Sequence, residues 1–292
     1  MNAALGSLER FLPPLGLLAI RFLPPRVSYL LAESVMGAVA ARRRSPLFRA
    51  VQANQSVVRG LTPGDSRLDR AVREVFLEAG RGYVDWFRAL AFGPRALAGM
   101  VQISLVLQDV LRGRGAVIVG GHLNGFNMAL LRFSLEPAGM LLLTMPDASG
   151  AHGLENVLRR RFGLSAVPMS VAALRHALRL LQAGGKVITG VDRPDPDGRP
   201  LMFFGRRARL PIGHVRIAAR AGVPLFVTDI RCDGPGRYSL DGSLMDPPRA
   251  KDPTEAVLVS AAEEVLRRLE QGIRRRPSSW LMFLPVWQDQ DR

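Results

Sequence analysis

The chain has 292 residues and is 48% hydrophobic, enough apolar material for one large core or two smaller ones. Its 40 Lys and Arg against 25 Asp and Glu leave a net charge of +15, a field that draws an anionic membrane face, an acidic carrier protein or nucleic acid. Aromatic residues make up only 7% and sit inside apolar runs rather than among the basic ones, which argues against nucleic acid, and the single cysteine, Cys232, excludes an intrachain disulfide and a Cys-rich zinc site.

The amino-terminal stretch, about 5–41, is apolar and helical but interrupted. Residues 11–20 contain two prolines, Arg21 and Arg26 break the pattern, and 27–41 hold Glu33 before Arg42-Arg43-Arg44. Neither run reaches the roughly 20 apolar residues of a spanning helix. A signal peptide is disfavoured because no basic region precedes the apolar one. Residues 1–44 are expected to lie on a membrane as an interfacial helical segment, with arginines at the headgroups. An ordinary pair of core helices is the alternative. Residues 45–292 are expected to form an α/β domain.

Helices are expected at 46–60 and 66–92, with Thr62-Pro63-Gly64 between them and Gly93-Pro94 after. From about residue 100, strand-like runs at 116–120, 140–144, 165–169, 186–191, 223–230 and 237–240 alternate with helical stretches at about 124–133, 151–162, 171–183, 212–221 and 253–275. This alternation predicts an α/β fold: a mostly parallel central sheet flanked by helices, with an apolar helical N-terminal segment. The last helix has the clearest signals. Asp252 is placed to cap it, Pro253 fits its first turn, and Glu255 completes a capping-box pattern. Leu258, Ala262, Val265, Leu266, Leu269 and Ile273 form one apolar stripe, and Arg274 to Arg276 meet the negative end of the dipole. In 171–183, Leu174, Leu178 and Leu181 are expected to face inward.

The stretch 116–127 carries the chemistry. An apolar strand ends in Gly120-Gly121, His122 follows, and a helix starts within a few residues. Side chains at the carboxyl end of a parallel strand project into the crevice where such sheets bind ligands. The two glycines would let a substrate approach the backbone closely, and His122 is the best-placed base. Asp192 closes another strand and so has a better case than Asp195 or Asp197, which read as loop formers. No Glu completes a calcium loop there, so a metal reading is rejected. Phe203 and Phe204 fit an acyl groove or a core. Arg206, Arg207 and Arg209 fit phosphate contacts or a solvated loop. His152, His176 and His214 lack a partner pattern and are read as structural. Without a Gly-x-Ser-x-Gly elbow, an α/β hydrolase is excluded.

The segment from His122 to Asn127 resembles the His-x4-Asp/Glu motif of glycerolipid and lipid A acyltransferases. Gly185-Lys-Val-Ile-Thr-Gly-Val-Asp192 resembles the strand of that group that ends in Asp. Phe203-Phe204-Gly205 with Leu210-Pro211-Ile212-Gly213 resembles its Phe-Phe-Gly…Pro-x-Gly block, and Gly222-Val223-Pro224 its next strand start. Tyr238-Ser239-Leu240 and Trp280…Trp287 resemble the closing segments, and Asn54, Phe76 and Gly80 the early helices. Together these cover nearly the whole chain, which resembles the bacterial lipid A biosynthesis (lauroyl/myristoyl) acyltransferase family of the lysophospholipid acyltransferase superfamily. Phosphatidylinositol mannoside acyltransferases share the pattern.

The resemblance implies transfer of a fatty acyl chain from acyl carrier protein or acyl-CoA to a hydroxyl or amine of a glycolipid or lysolipid, with no cofactor or metal. His122 would be the general base, with Asn127 and Asp192 as the other catalytic residues. Gly121, Asn124, Phe203, Phe204, Gly205, Arg206 and Arg161 would contact substrate. The backbone N–H groups after His122, together with one from another strand end, are candidates for an oxyanion hole. The partners would be the donor, the acceptor lipid and an anionic membrane surface, and the place the cytoplasmic face of the plasma (inner) membrane, peripheral or monotopic. Two positions depart from the pattern. Asn127 stands where the family has a carboxylate, so either Asp147 or Asp192 supplies the charge or the protein binds lipid without turnover. The strand end at Thr144-Met145-Pro146-Asp147 lacks the family's Arg, while Asn156 and Arg161 match the following helix positions.

Overall fold

A computed structural model describes residues 20–136, 139–145, 156–157, 159–160, 162–248 and 253–287. Three helices come first: α1 (Pro25–Ala40), α2 (Pro46–Arg59) and α3 (Ser66–Phe92). Ser45 caps α2 by accepting the Phe48 N–H at 3.1 Å, Gly60 ends it in the left-handed conformation, and Asp65 caps α3 by accepting the Arg67 N–H at 2.8 Å. The chain then alternates: α4 (Pro94–Met100), β1 (Val101–Ile103), α5 (Leu105–Arg112), β2 (Ala116–Gly120), α6 (Phe126–Phe133), β3 (Met140–Thr144), β4 (Ser165–Pro168), α7 (Val171–Gln182) and β5 (Lys186–Gly190). A hairpin, β6 (Arg199–Phe203) and β7 (Arg206–Leu210), precedes α8 (Gly213–Ala221), β8 (Leu225–Gly234), β9 (Arg237–Met245) and α9 (Glu255–Arg275).

Among the described residues, seven strands form one sheet in the order β1-β9-β8-β2-β5-β3-β4, parallel throughout except between β8 and β9. Both faces of the central strands are buried, as a parallel sheet requires. Val117, Val119 and Val187 pack with α7, α8, α9 and the hairpin, while Ile118 and Ile188 pack with α4, α5 and α6 on the other face. The fold is thus the α/β arrangement expected, with helices on both sides of a mostly parallel sheet. The strands at 116–120 and 140–144 have the expected bounds, whereas β8 and β9 run on into a longer antiparallel ribbon. α4, α5, β1 and the β6–β7 hairpin are elements that the sequence pattern does not announce. The hairpin's apolar alternation, Leu201 and Phe203 against Ala208 and Leu210, is hidden by the Pro and Arg residues on its outer face.

The α9 stripe is buried in full. Thr254 holds the N-cap position without a side-chain bond, Glu255 pairs instead with Arg199 at 2.6 Å, and Asp252 lies outside the described residues. Arg274, Arg275 and Arg276 pair with Glu270, Asp229 and Asp233. In α7 the buried face is Ala173, Ala177 and Leu181; Leu174 and Leu178 only flank it.

The first helix is fastened to the domain. The Tyr29 and Tyr238 hydroxyls both donate to Asp85 of α3, the latter at 2.6 Å, and Glu33 pairs with Arg81 at 2.7 Å. A side chain at Gly80 would meet Met36 Cγ at 2.9 Å and the Ala32 carbonyl oxygen at 3.2 Å, so α1 and α3 cross in near backbone contact. Among the described residues no helix is long and apolar enough to cross a membrane. Residues 1–19, the first part of the proposed interfacial segment, lie outside them.

His214 sits in the core at the start of α8, and neither ring nitrogen has a hydrogen-bond partner among the described residues. Burial pushes its pKa down to about 3. The unfolded chain therefore takes up a proton below its ordinary value near 6.5 that the folded chain refuses, so stability falls as pH drops through that window towards 3. His214→Leu should flatten urea-derived stability between pH 6 and 4 by about 1 kcal/mol per pH unit. An unchanged slope in that variant would contradict this account.

Candidate active site

Strands β2 and β5 are adjacent and parallel, with Gly120 opposite Gly190. His122 and Asp192 each follow two residues later, so the register sets them side by side at the carboxyl edge of the sheet. His122 Nδ1 lies 2.7 Å from Asp192 Oδ1, and the His122 backbone N–H donates to Oδ2 at 2.8 Å. The Trp280 indole N–H donates to the same Oδ2 at 2.7 Å. The Asp192 side chain is fully buried, while that of His122 is 33% exposed.

Burial pushes the Asp192 carboxyl up. The positive charge available on His122 and the N–H bonds from His122 and Trp280 outweigh it, and hold the group below the ordinary carboxylate range. An ionised Asp192 keeps the ring proton on Nδ1, which leaves Nε2 with the lone pair that can take a proton. The Phe126 ring, at the start of α6, lies 5.4 Å from the imidazole.

The glycines make this pairing possible. A side chain at Gly121 would meet Asp192 Oδ2 at 2.9 Å and Leu269 Cδ1 at 2.9 Å, and one at Gly190 would meet His122 Cε1 at 3.1 Å. The Gly120 position is closed by Thr228 Oγ1. At these positions the absence of a side chain is required by close approaches between groups of the protein itself.

The loop after His122 is held from two sides. Asn124 N–H donates to the Ser279 carbonyl and Leu281 N–H to the His122 carbonyl, both at 2.7 Å, with Leu123 and Trp280 paired between them. Leu123 N–H donates to the Gly121 carbonyl at 2.8 Å. The N–H groups of Leu123 and Asn124 are therefore occupied, which removes them as the oxyanion donors expected from sequence. The Asn124 side chain is buried against Gly82 of α3 and donates to Glu78 at 2.6 Å, so it supports the loop.

Of the three residues expected to be catalytic, the structure brings His122 and Asp192 together and turns Asn127 elsewhere. The Asn127 amide oxygen accepts from Arg159 at 2.6 Å, and Arg159 also donates to Asn156 at 2.9 Å. Arg159 is 8% exposed. It is this arginine, three residues after Asn156 and hence on the same helical face, that joins the motif helix. Arg161 and Asp147 lie outside the described residues. The Asn156–Arg159 spacing was the available sequence signal.

Phe203 and Phe204 belong to an aromatic cluster rather than an open groove. Phe203 stacks on Trp287 at 5.6 Å and Phe204 on Trp280 at 6.2 Å, and both phenyl groups are buried. Phe204 and Gly205 form the two-residue turn between β6 and β7, with φ of 52° and 72°. Gly adopts this at no cost, whereas Phe204 is strained there. The strain is offset by a 2.6 Å bond from its N–H to Glu270 and by the Arg274 guanidinium 4.7 Å above its ring. Arg206 is exposed at the foot of the turn, opposite Phe203. Neither the bond from Trp280 to Asp192, 88 positions apart, nor the Ser279–Leu281 clamp on the loop after His122 follows from the sequence, because the partners are distant in the chain.

The family model described as bacterial lipid A biosynthesis acyltransferase matches residues 5–289. No curated protein matches the chain. Among solved structures, it is similar to the crystal structure of the 1-acyl-sn-glycerophosphate (LPA) acyltransferase PlsC from Thermotoga maritima, at 19% identity over 87% of this chain and 99% of that one, with a TM-score of 0.40. With nearly its whole length matched by the family model, the chain belongs to the bacterial lipid A biosynthesis acyltransferase family and is an acyltransferase acting on a lipid acceptor.

Proposed function

We propose that His122 is the general base of an acyl transfer from an acyl-carrier-protein or acyl-CoA thioester to a hydroxyl or amine of a glycolipid or lysolipid. The observation that carries this is the 2.7 Å contact between His122 Nδ1 and the buried Asp192 carboxylate. Nε2 takes the acceptor's proton as the acceptor oxygen or nitrogen attacks the thioester carbon. The tetrahedral intermediate then collapses with loss of the thiolate, and the proton passes from Nε2 to the departing sulfur. Asp192 stabilises the imidazolium formed between the two steps, the role Asp plays in serine-protease triads. A carboxylate on the ring also supplies the charge that Asn127 cannot, which favours turnover over lipid binding alone. The +15 net charge suits an acidic carrier as the donor's vehicle.

His122→Ala should lower acyl transfer by about 10²–10⁴-fold, the usual range for a general base. Turnover at the parental rate would move the base elsewhere. Asp192→Asn, which keeps the shape but removes the charge, should lower kcat by a comparable factor. Asn127→Asp should leave the rate within about threefold, because that side chain addresses Arg159; a single labelled-donor assay with a panel of lipid acceptors reads all three. A large gain in Asn127→Asp, with Asp192→Asn unaffected, would return the carboxylate role to position 127.

The same reading places the protein on the inner-membrane face through residues 1–44. In its support, α1 presents Val27, Leu30, Leu31 and Val35 outward on one stripe while Tyr29, Glu33 and Met36 face α3; Leu30 is 63% and Val35 58% exposed. Arg42 and Arg44 follow on the surface, and Arg43 pairs with Asp69 at 2.8 Å. The protein should float with anionic vesicles at low salt, and Leu30→Glu with Leu31→Glu should weaken that binding about tenfold or more. Equal flotation of the double variant and the parent would remove α1 from the membrane contact.

A further inference from the structure

We propose that Trp280 is a positioning residue for the acyl transfer: through its indole N–H it fixes Asp192, and through Asp192 the orientation and proton affinity of His122. This rests on the reading of His122 and Asp192 above and adds a third member to the pair. A fully buried anion needs donors on both oxygens. Oδ1 has the imidazole, and Oδ2 has the His122 backbone N–H at 2.8 Å and the Trp280 indole N–H at 2.7 Å. A side chain at Gly121 would meet both Asp192 Oδ2 and the apolar Leu269 of α9, and His122 is the one charged or titratable group acting on the carboxylate among the described residues. Among the described residues Trp280 therefore supplies one of three donors, and the only one from outside the His122 loop.

The indole cannot drift from this bond. Trp280 is 1% exposed, stacks on Phe204 and meets Trp287 edge-on at 6.0 Å. Its backbone is clamped on either side, by the Ser279 carbonyl to Asn124 N–H and by Leu281 N–H to the His122 carbonyl. One short segment thus holds the base's loop through its backbone and the base's partner through its side chain. A donor on Oδ2 draws electron density from the carboxylate. Without it Asp192 becomes the more basic partner, and the proton it shares with His122 is held more tightly.

Trp280→Phe keeps the ring and removes the donor. It should lower kcat/KM about 10- to 100-fold, chiefly in kcat, as expected for losing one charge-assisted hydrogen bond that matters in the transition state. The acid limb of its pH–rate profile should move to higher pH. Trp287→Phe is the control for packing: it breaks a 3.1 Å bond to the Phe203 carbonyl in the same cluster. It should lower the melting temperature and leave the acid limb in place. A measurement on the parent chain needs no folded variant. Of the three tryptophan indole N–H resonances, one should shift as His122 titrates, and in Asp192→Asn that response should vanish. A Trp280→Phe enzyme with kcat/KM within twofold of the parent and an unmoved acid limb would overturn the inference, as would indole resonances insensitive to pH. Turnover surviving His122→Ala overturns the general-base reading and this inference with it. Turnover lost in that variant but unchanged in Trp280→Phe overturns the Trp280 role alone.

Discussion

The register between β2 and β5 is the constraint from which the site follows. Gly120 faces Gly190, so whatever stands two residues beyond each strand end must meet. Sliding one strand by a single residue would flip every side chain to the other face and part His122 from Asp192. The starts of the two strands are tied together as well. Lys186 opens β5 fully buried, and its ammonium donates to the carbonyls of Gly113 and Arg114 before β2 and of Gly184 before β5, at 2.8–3.1 Å. Burial lowers its pKa, yet three carbonyl acceptors compensate the charge. A buried lysine at the amino edge and a buried aspartate at the carboxyl edge therefore bracket the same strand pair.

This geometry explains how a chain with an amide at position 127 retains a carboxylate on its histidine. Asn127 sits within the first turn of α6, where its side chain reaches Arg159. Asp192 approaches from the neighbouring strand and meets Nδ1 directly. Close packing of the two strand ends is affordable only because Gly121 and Gly190 have no side chains at the points of contact. The polar pair sits in an apolar frame of Leu269, Phe126 and the Phe203–Phe204–Trp280–Trp287 cluster, which limits the water that would otherwise weaken it.

The helical layer reaches the site through side chains rather than through the sheet. Glu33 of α1 pairs with Arg81 of α3, Arg81 with Glu78, and Glu78 accepts from Asn124 in the loop after His122. The Asp85 carboxylate joins α1 and α3 to β9 in the same manner, through two tyrosines. The helix that carries the outward apolar stripe and the loop that carries the base are thus connected by contiguous hydrogen bonds.

By itself, the sequence determined the α/β class, most strand and helix positions, and the two residues that stand at the strand ends. These depend on local patterns: apolar runs of strand length, the α9 stripe, glycines before His122, and an aspartate that closes a strand. It also carried the order of motifs that marks the family. Only the tertiary structure decided that Asp192 rather than Asn127 meets the imidazole, since that depends on which strands are neighbours and in what register. Likewise it showed which protein groups crowd the glycines, took the Leu123 and Asn124 N–H groups into backbone bonds, and placed Phe203 and Phe204 in the core. The bond from Trp280 to Asp192 was invisible for the same reason. A hydrogen bond between residues 88 positions apart leaves no trace in local periodicity, because the chain pattern encodes which face is buried and not which partner is met there.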